Sequence, residues 1–139
     1  MKKILVAHDG SKLSDKALKR AVEIAVAMSS SLTVLSVIPE LYLTELSDID
    51  RGRIVEALTE ETKTAMEKVR ISLASKPVEA KTIIRQGPAA EKILETAQKM
   101  KVDLLVVGSH GRHGARKFLL GSVSSKVVDH ATCPVLVVK

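Results

Sequence analysis

The stretch that decides the fold of this 139-residue chain is Val102-Asp103-Leu104-Leu105-Val106-Val107-Gly108-Ser109-His110-Gly111. Its first six residues form an apolar run, typical of a strand buried on both faces of a parallel sheet. A helix is predicted from Ser122 to about Ala131, with Ser122 as its N-cap directly after Gly121. Glycines let a backbone approach an anion closely, and a helix N-terminus offers unpaired N–H groups. The order of strand, glycine loop and helix therefore predicts a phosphate-binding loop.

Outward from this stretch, strand and helix patterns alternate along the whole chain. The predicted strands are Lys3–Ala7, Leu32–Ile38, Val78–Ile84, 102–107 and Val135–Val138. The other predicted helices are Ser14–Met28 with Ser14 as its cap, a long helix from Ile54 to Leu73, and one that follows Gly87-Pro88. Five strands alternating with four helices predict an α/β fold, an open parallel sheet with helices on both faces. We expect residues 1–139 to form one domain.

The expected strand order is 3-2-1-4-5, so that the winding direction reverses between the first and fourth strands. Ligands of such sheets bind at the carboxyl ends of the strands at this reversal. Asp9 follows the first strand and Gly108 follows the apolar run of the fourth, so two separate features converge on one crevice. Asp9 has two readings, a turn former at Gly10-Ser11 or an acceptor for ribose hydroxyls or a metal ion. Val37, at the exit of the second strand, is read either as a flank of the crevice or as a core residue.

The composition favours a protein that attracts anions. Lys and Arg outnumber Asp and Glu by 22 to 16, which gives a net charge of +6 and a pI near 9.6. The glycine loop carries Arg112, His113, Arg116 and Lys117, which favour a polyphosphate over a neutral ligand. One Tyr, one Phe and no Trp leave no aromatic platform of the kind found in single-stranded nucleic-acid grooves.

The absence of other sequence signals sets further expectations. A single cysteine, Cys133, excludes an internal disulfide. No apolar run reaches the ~18 residues of a membrane span, and the chain enters a strand within its first few residues, which leaves no signal peptide. We therefore expect a cytoplasmic protein without a membrane segment.

Three nucleotide-using or phosphate-using classes are excluded by their motifs. A Walker-type hydrolase or kinase needs Gly-x4-Gly-Lys-Ser/Thr, which is absent. A dinucleotide oxidoreductase needs Gly-x-Gly-x-x-Gly after the first strand, where this chain has His8-Asp9-Gly10-Ser11. A phospho-receiver domain needs an aspartate at the end of the third strand, where Ile84-Arg85-Gln86-Gly87 stands. His110 and His113 lack carboxylate or cysteine partners, so no metal site is assigned, and no catalytic residue is assigned either.

With the spacing Gly108-x2-Gly111-x9-Gly121-Ser122, the chain resembles the universal stress protein family, specifically its ATP-binding subgroup. The opening Ile-Leu-Val-Ala-His-Asp-Gly-Ser and the closing Cys-Pro-Val-Leu-Val-Val extend this resemblance over the whole length. The resemblance implies a Rossmann-like sheet of the adenine nucleotide alpha hydrolase type, with ATP lying across its first and fourth strands. The sequence offers only weak catalytic candidates, Asp9 as a base and Arg112 or Arg116 for charge neutralisation, so we expect a nucleotide-responsive stress regulator with little or no ATP hydrolysis. ADP and AMP remain open as ligands, and so does a magnesium or manganese ion that accompanies the phosphates.

By matching positions, the resemblance also assigns residue roles. Asp9 would meet the ribose, and Val37 would contact adenine through its backbone. The phosphates would be cradled by Gly108, Gly111, Arg112, Gly121, Ser122, Val123 and Ser124. A homodimer through the terminal strand Val135–Val138 is also implied, because that apolar edge would otherwise pair without control.

Two departures and one rival interpretation stand beside this assignment. His8 occupies a position where the family often has an apolar residue, and the segment 41–53 does not align. The rival is a basic nucleic-acid-binding or protein-interaction module that binds no nucleotide. Its support is the net charge and the cluster from Arg112 to Lys117, whereas the scarcity of aromatics disfavours a nucleic-acid partner.

Overall fold

A computed structural model describes residues 1–40, 47–110 and 120–139 of the chain. Its sheet contains five parallel strands in the order β3-β2-β1-β4-β5. In chain order these are β1 (Lys3–Ala7), β2 (Ser31–Ile38), β3 (Ala80–Gln86), β4 (Leu104–Gly108) and β5 (Val135–Val138). The predicted α/β class and the predicted strand order are confirmed.

Within the described ranges, four helices cover the two faces of this sheet. They are α1 (Lys12–Met28), α2 (Asp48–Ala74), α3 (Ala89–Met100) and α4 (Ser122–His130). The helices α1 and α2 pack on one face, against Ile4 and Val6 of β1, while α3 and α4 pack on the other, against Leu5. Because β1 is covered from both sides, all three of these side chains are at most 1% exposed. This double burial explains why the central strands consist almost entirely of aliphatic residues.

The start of α1 differs from the prediction, whereas its end at Met28 agrees with it. Ser14 was expected as the N-cap, but the cap is Ser11, whose Oγ accepts a hydrogen bond from the Ser14 N–H at 3.1 Å. The helix begins earlier because Gly10, at φ 85°, turns the chain sharply after β1. At the other end Ser29 adopts a left-handed conformation, and its N–H bonds back to Ala25 and Val26.

The helix α2 is much longer than its contribution to the core. It begins at Asp48, before the predicted start at Ile54, because Ser47 caps it and accepts a hydrogen bond from the Asp50 N–H at 3.2 Å. Its buried residues, Met66, Val69 and Leu73, all lie in the second half of its 27 residues. No helix within the described ranges is both long enough and apolar enough to cross a membrane.

The amino end of the sheet is held by a carboxylate. Asp103 Oδ2 accepts hydrogen bonds from the N–H groups of Lys2 at 2.7 Å and Lys3 at 2.9 Å. The Asp103 N–H in turn donates to the Lys3 carbonyl at 2.8 Å. Asp103, just before β4, is thus both an acceptor from and a donor to the start of β1. These two backbone donors, Lys2 first, hold the pKa of the Asp103 carboxyl below its ordinary value.

We expect Asp103 to make the free energy of unfolding depend on pH. Because its pKa is lowered in the folded protein, its stabilising effect is present above the ordinary Asp value of about 3.9 and is lost as the pH falls through the lowered pKa. Asp103→Asn removes this charge and should therefore lose less stability than the wild type between pH 7 and pH 3, measured by urea unfolding. Asp129→Asn, an exposed carboxylate on α4, serves as the matched control. Equal losses in the wild type and in Asp103→Asn would contradict the assignment.

Candidate functional site

The sheet opens a crevice where β1 and β4 part. Their register pairs Ile4 to Val6 with Leu104 to Val106. Beyond that point β1 continues beside β2, ending with Ala7 opposite Leu35, while β4 continues beside β5 as far as Gly108 opposite Val138. At their carboxyl ends, β1 and β4 thus no longer pair with each other, since β1 pairs only with β2 and β4 only with β5. Asp9 and Gly108 stand at this edge, where the sequence placed them.

On the β1 side, the crevice is bordered by a tight turn. Asp9 Oδ1 accepts a hydrogen bond from the Ser11 N–H at 2.9 Å, so Asp9 is the turn former that one of its two readings required. The residue is exposed. This turn places its carboxylate at the mouth of the crevice, so the structural role and a ligand role are compatible.

His8 follows β1 at the position where the family often has an apolar residue, and its side chain is buried. It is 5% exposed, and its Nε2 lies 2.7 Å from Asp15 Oδ1 in the first turn of α1. Asp15 itself is largely exposed. The contact joins the end of β1 to α1 and so helps to fix the turn that carries Asp9.

On the β4 side, Gly108 allows a close packing contact. A Cβ atom at this position would lie 3.3 Å from the backbone and from the Cβ of Leu13, in the first turn of α1. Such a distance is shorter than ordinary van der Waals contact between carbon atoms. The glycine therefore lets α1 approach the end of β4, whatever it does for a ligand.

The start of α4 is fixed beside the end of β4 by two hydrogen bonds. The Gly121 N–H donates to the Ser109 carbonyl at 2.7 Å, and Ser124 Oγ donates to the Gly108 carbonyl at 2.6 Å. Ser109 is itself held, because its N–H donates to the Val138 carbonyl at 2.8 Å. Ser124 is 5% exposed, so its hydroxyl positions the helix and does not face solvent.

The N-cap of α4 is Gly121, and the expectation that Ser122 would cap the helix is wrong. Gly121 adopts extended backbone angles, and Ser122 is already the first helical residue. A glycine has no side chain to accept hydrogen bonds from the first turn, and the cap makes none. The first intrahelical donor is Ser125, whose N–H reaches the Gly121 carbonyl at 2.8 Å. The preceding N–H groups, including those of Val123 and Ser124, are therefore the ones that a helix N-terminus directs outward.

Val37 contributes through its backbone direction. In β2 the odd-numbered residues bond toward β1, as when the Ser31 N–H donates to the Lys2 carbonyl at 2.9 Å and the Leu35 carbonyl accepts from the His8 N–H at 2.8 Å. By the alternation of a strand, Val37 directs its N–H and C=O to the same side, just beyond the last residue of β1. Its half-buried side chain packs in the layer of α3 and α4. The side chain of Val37 is thus a core residue, its backbone groups are directed toward the crevice side, and a ligand contact there stays a prediction.

Comparison with known proteins decides the family. The model of the universal stress protein family matches residues 1–139. The chain belongs to the universal stress protein family. A universal stress protein from Bacillus subtilis strain 168, YxiE, is 38% identical over 145 residues, covering 99% of this chain and 98% of that protein.

Two solved structures extend the comparison to three dimensions. The universal stress protein UspA from Lactobacillus plantarum superposes with a TM-score of 0.91 at 31% identity, covering 99% of this chain and 97% of that one. A universal stress protein solved in complex with cAMP superposes with a TM-score of 0.64 at 26% identity, covering 99% and 95%.

Several predicted site residues of this universal stress protein lie outside the described residues. Gly111 and Arg112 are among them, with the other loop cations His113, Arg116 and Lys117. Among the described residues, no group of three or more His, Cys, Asp or Glu side chains is arranged to hold a metal ion.

Sequence reasoning missed two contacts that shape the crevice, Gly108 against Leu13 and His8 with Asp15. The first contact joins β4 to α1 and the second joins the end of β1 to α1, and neither has a fixed spacing that a pattern search could use. The capping role of Ser11 did have a signal, because Ser11 and Ser14 have the three-residue spacing at which a cap side chain reaches the backbone of the first turn.

We expect Gly108→Ala to destabilise this protein by about 1–3 kcal/mol, because its methyl group overpacks against Leu13. The matched control is Gly52→Ala on α2, where an added Cβ has nothing within 4 Å. That control should stabilise the helix by about 0.5–1 kcal/mol. Urea unfolding measures both changes. A Gly108→Ala protein as stable as the wild type would refute the packing role of this glycine.

Proposed function

We propose that this universal stress protein binds ATP at the carboxyl ends of β1 and β4 and acts as a nucleotide-responsive stress regulator. The observation that carries the proposal is the uncapped N-terminus of α4, held against the end of β4 by the bonds to Gly108 and Ser109. Such a terminus is a preformed anion site, because its N–H groups and the helix dipole favour negative charge. The family member solved with cAMP supports an adenine nucleotide as the class of ligand.

The proposed pose assigns one part of the nucleotide to each border of the crevice. The phosphates lie at the N–H groups of Ser122, Val123 and Ser124, beside Gly108 and Gly121, with Gly111 and Arg112 supplied by the connecting loop. The ribose hydroxyls lie at Asp9, which is exposed at the mouth of the crevice. The adenine lies at the backbone of Val37, beyond the end of β1. ATP is preferred over ADP and AMP because the net charge of +6 rewards each added phosphate.

The proposed role is that of a binding protein, with slow or negligible hydrolysis. Fast phosphoryl transfer requires a positioned water, a base and charge neutralisation in the transition state. Asp9 is only a weak candidate for the base, because its Oδ1 accepts the hydrogen bond from the Ser11 N–H and the proposed pose places the ribose at the same carboxylate. A magnesium or manganese ion would be held mainly by the phosphates themselves, with Asp9 as the nearest protein carboxylate in the proposed pose.

Gly121→Asp separates binding from folding. The new carboxylate would cap α4 and occupy the N–H groups proposed for the phosphates, so ATP affinity should fall at least ~10-fold by electrostatic repulsion and competition. The free energy of unfolding should hold or rise by about 1 kcal/mol, because the helix gains a cap. Isothermal titration calorimetry with ATP, ADP and AMP measures the first change, and urea unfolding measures the second.

Two controls sharpen this experiment. Gly121→Ser adds a neutral cap at the same atom and should weaken ATP binding much less than Gly121→Asp. A duplex oligonucleotide tests the rival, a basic nucleic-acid-binding module, whose binding would weaken steeply with salt. Unchanged ATP affinity in Gly121→Asp, or salt-sensitive oligonucleotide binding without any ATP binding, would overturn the proposal.

We also propose a homodimer through β5. This strand forms one edge of the sheet of described residues, and Val135–Val138 is apolar and only half-buried. The even-numbered residues of β5 bond to β4, since the Val138 carbonyl accepts from Ser109 and the Pro134 carbonyl from Leu105. By alternation, Val137 directs its N–H to the open edge, where a second copy would pair.

Val137→Pro should convert the dimer to a monomer. Proline removes the outward N–H without touching the ladder to β4, so the fold should persist. Val137→Ala shortens the side chain but keeps the donor, and should remain dimeric. Sedimentation velocity measures the oligomeric state, and circular dichroism checks the fold. A folded Val137→Pro protein that is still a dimer would exclude β5 pairing.

A further inference from the structure

The opposite edge of the sheet carries a second candidate site, away from the crevice. A cleft of about 350 Å³ lies between β3 and α3. Its lining residues are Lys81, Ile83, Arg85, Lys92, Glu95, Thr96, Lys99 and Met100. Four of these side chains are cations and one is a carboxylate. Its apolar surface comes from Ile83 and Met100, both half-buried.

The single carboxylate of the cleft is already neutralised. Glu95 bonds Lys99 at 3.1 Å and Lys92 at 3.2 Å, both on α3. These two cations, Lys99 first, hold the pKa of Glu95 below its ordinary value. On β3, neither Lys81 nor Arg85 has a carboxylate partner within the described part of the chain. Most of the unbalanced positive charge of the cleft therefore lies along the strand, and the rest lies on α3, where two lysines share one carboxylate.

The strand β3 offers an open backbone edge. It pairs with β2 over its full length, from Ala80 opposite Leu32 to Gln86 opposite Ile38, and is the last strand on its side of the described sheet. The Glu79 carbonyl accepts from the Leu32 N–H at 2.8 Å, and the Gly87 N–H donates to the Ile38 carbonyl at 3.0 Å. Odd-numbered residues therefore bond toward β2, and the alternation of a strand leaves the outward backbone groups to even-numbered residues.

The backbone groups at the open edge and the side chains in the cleft come from different residues of β3. Thr82 and Ile84 direct their N–H and C=O groups outward, and the Arg85 guanidinium lies 3.4 Å from the Ile84 carbonyl. Lys81, Ile83 and Arg85 place their side chains together in the cleft. In a strand added to this edge, every second side chain would lie beside one of these three residues, which are in order a cation, an apolar residue and a cation.

We propose that β3 is a docking edge for an acidic, extended peptide segment of a partner protein. The segment would add as a sixth strand, with an acidic residue, an apolar residue and an acidic residue at positions i, i+2 and i+4. These face Lys81, Ile83 and Arg85 in either order, because the row is symmetric in charge. Opposite charges across a strand pair are stabilising, and backbone bonds supply the remaining affinity.

The same charges select against the other occupants of the edge. A second copy of this chain pairing β3 with β3 would bring Lys81 and Arg85 of each copy close together, and like charges across a strand pair are destabilising. A small anion would use the cations alone and leave the outward groups of Thr82 and Ile84 unused. An acidic strand is the occupant that uses both sets of groups.

The test uses a fluorescein-labelled peptide, Thr-Glu-Val-Ile-Thr-Glu-Thr, titrated into the full-length protein and followed by fluorescence anisotropy. Lys81→Glu with Arg85→Glu should weaken its binding at least ~10-fold, because two attractive pairs become repulsive. Lys68→Glu with Lys76→Glu makes the same change in net charge at exposed positions elsewhere and should bind as the wild type does. The Lys81→Glu, Arg85→Glu protein should instead bind the peptide in which both Glu are Lys.

A second arm tests the backbone contribution. Thr82→Pro removes an outward N–H without changing any charge and should also weaken binding at least ~10-fold. In the wild type, amide hydrogen exchange at Thr82 and Ile84 should slow when the peptide is added. Three outcomes would each overturn the proposal. They are no peptide binding at millimolar concentration, equal binding by both double variants, and displacement by tripolyphosphate with no amide protection, which would indicate a small-anion site.

Discussion

Three register pairs, Ile4 with Leu104, Leu5 with Leu105 and Val6 with Val106, join the two halves of the sheet. The chain adds β2 and β3 on one side of β1, then crosses back to add β4 and β5 on the other. Right-handed connections place α1 and α2 on one face during the first passage and α3 and α4 on the other during the second. The helices therefore change from one face of the sheet to the other between β1 and β4. A crevice forms at the carboxyl ends of these two strands because their connections lead to opposite faces.

The crevice is held open by bonds that do not depend on a ligand. Ser124 Oγ and the Gly121 N–H fasten α4 to the end of β4, while the Asp9 turn and the contact between His8 and Asp15 fasten α1 to the end of β1. Each of these contacts satisfies a polar group near the ligand edge without using the first-turn N–H groups of α4. An anion site of the proposed kind, built in this way, would require little reorganisation on binding, which would lower the entropic cost of binding.

The strand order could be predicted because it rests on local patterns. Apolar runs such as 102–107 and the alternation with helices specify a doubly covered parallel sheet. Helix starts were less predictable, since the choice between Ser11 and Ser14, or between Gly121 and Ser122, depends on backbone angles that composition does not fix. Strand boundaries moved for a related reason, as β4 extends to Gly108 because β5 offers it a partner at Val138.

The candidate sites likewise combine residues that a local pattern predicts with contacts that only the fold determines. The glycines, Asp9 and Val37 were predicted by motif and by matching positions, and the ladder from β2 to β1 shows on which side the Val37 backbone groups lie. The charges of Lys81 and Arg85 within the third strand are visible in the sequence. That cations of α3 lie opposite them is a product of the crossover from β3 to β4, which no local pattern encodes.

The buried residues of α2 are unevenly distributed along the helix. The helix is about 40 Å long at 1.5 Å per residue, whereas its core contacts begin only at Met66. Its first turns rest on the Ser47 cap and on ion pairs such as Arg51 with Asp48, which contribute little in water. We expect this part of the helix to open at a lower free energy than the two apolar layers, because the buried residues of α2 all lie in the other half.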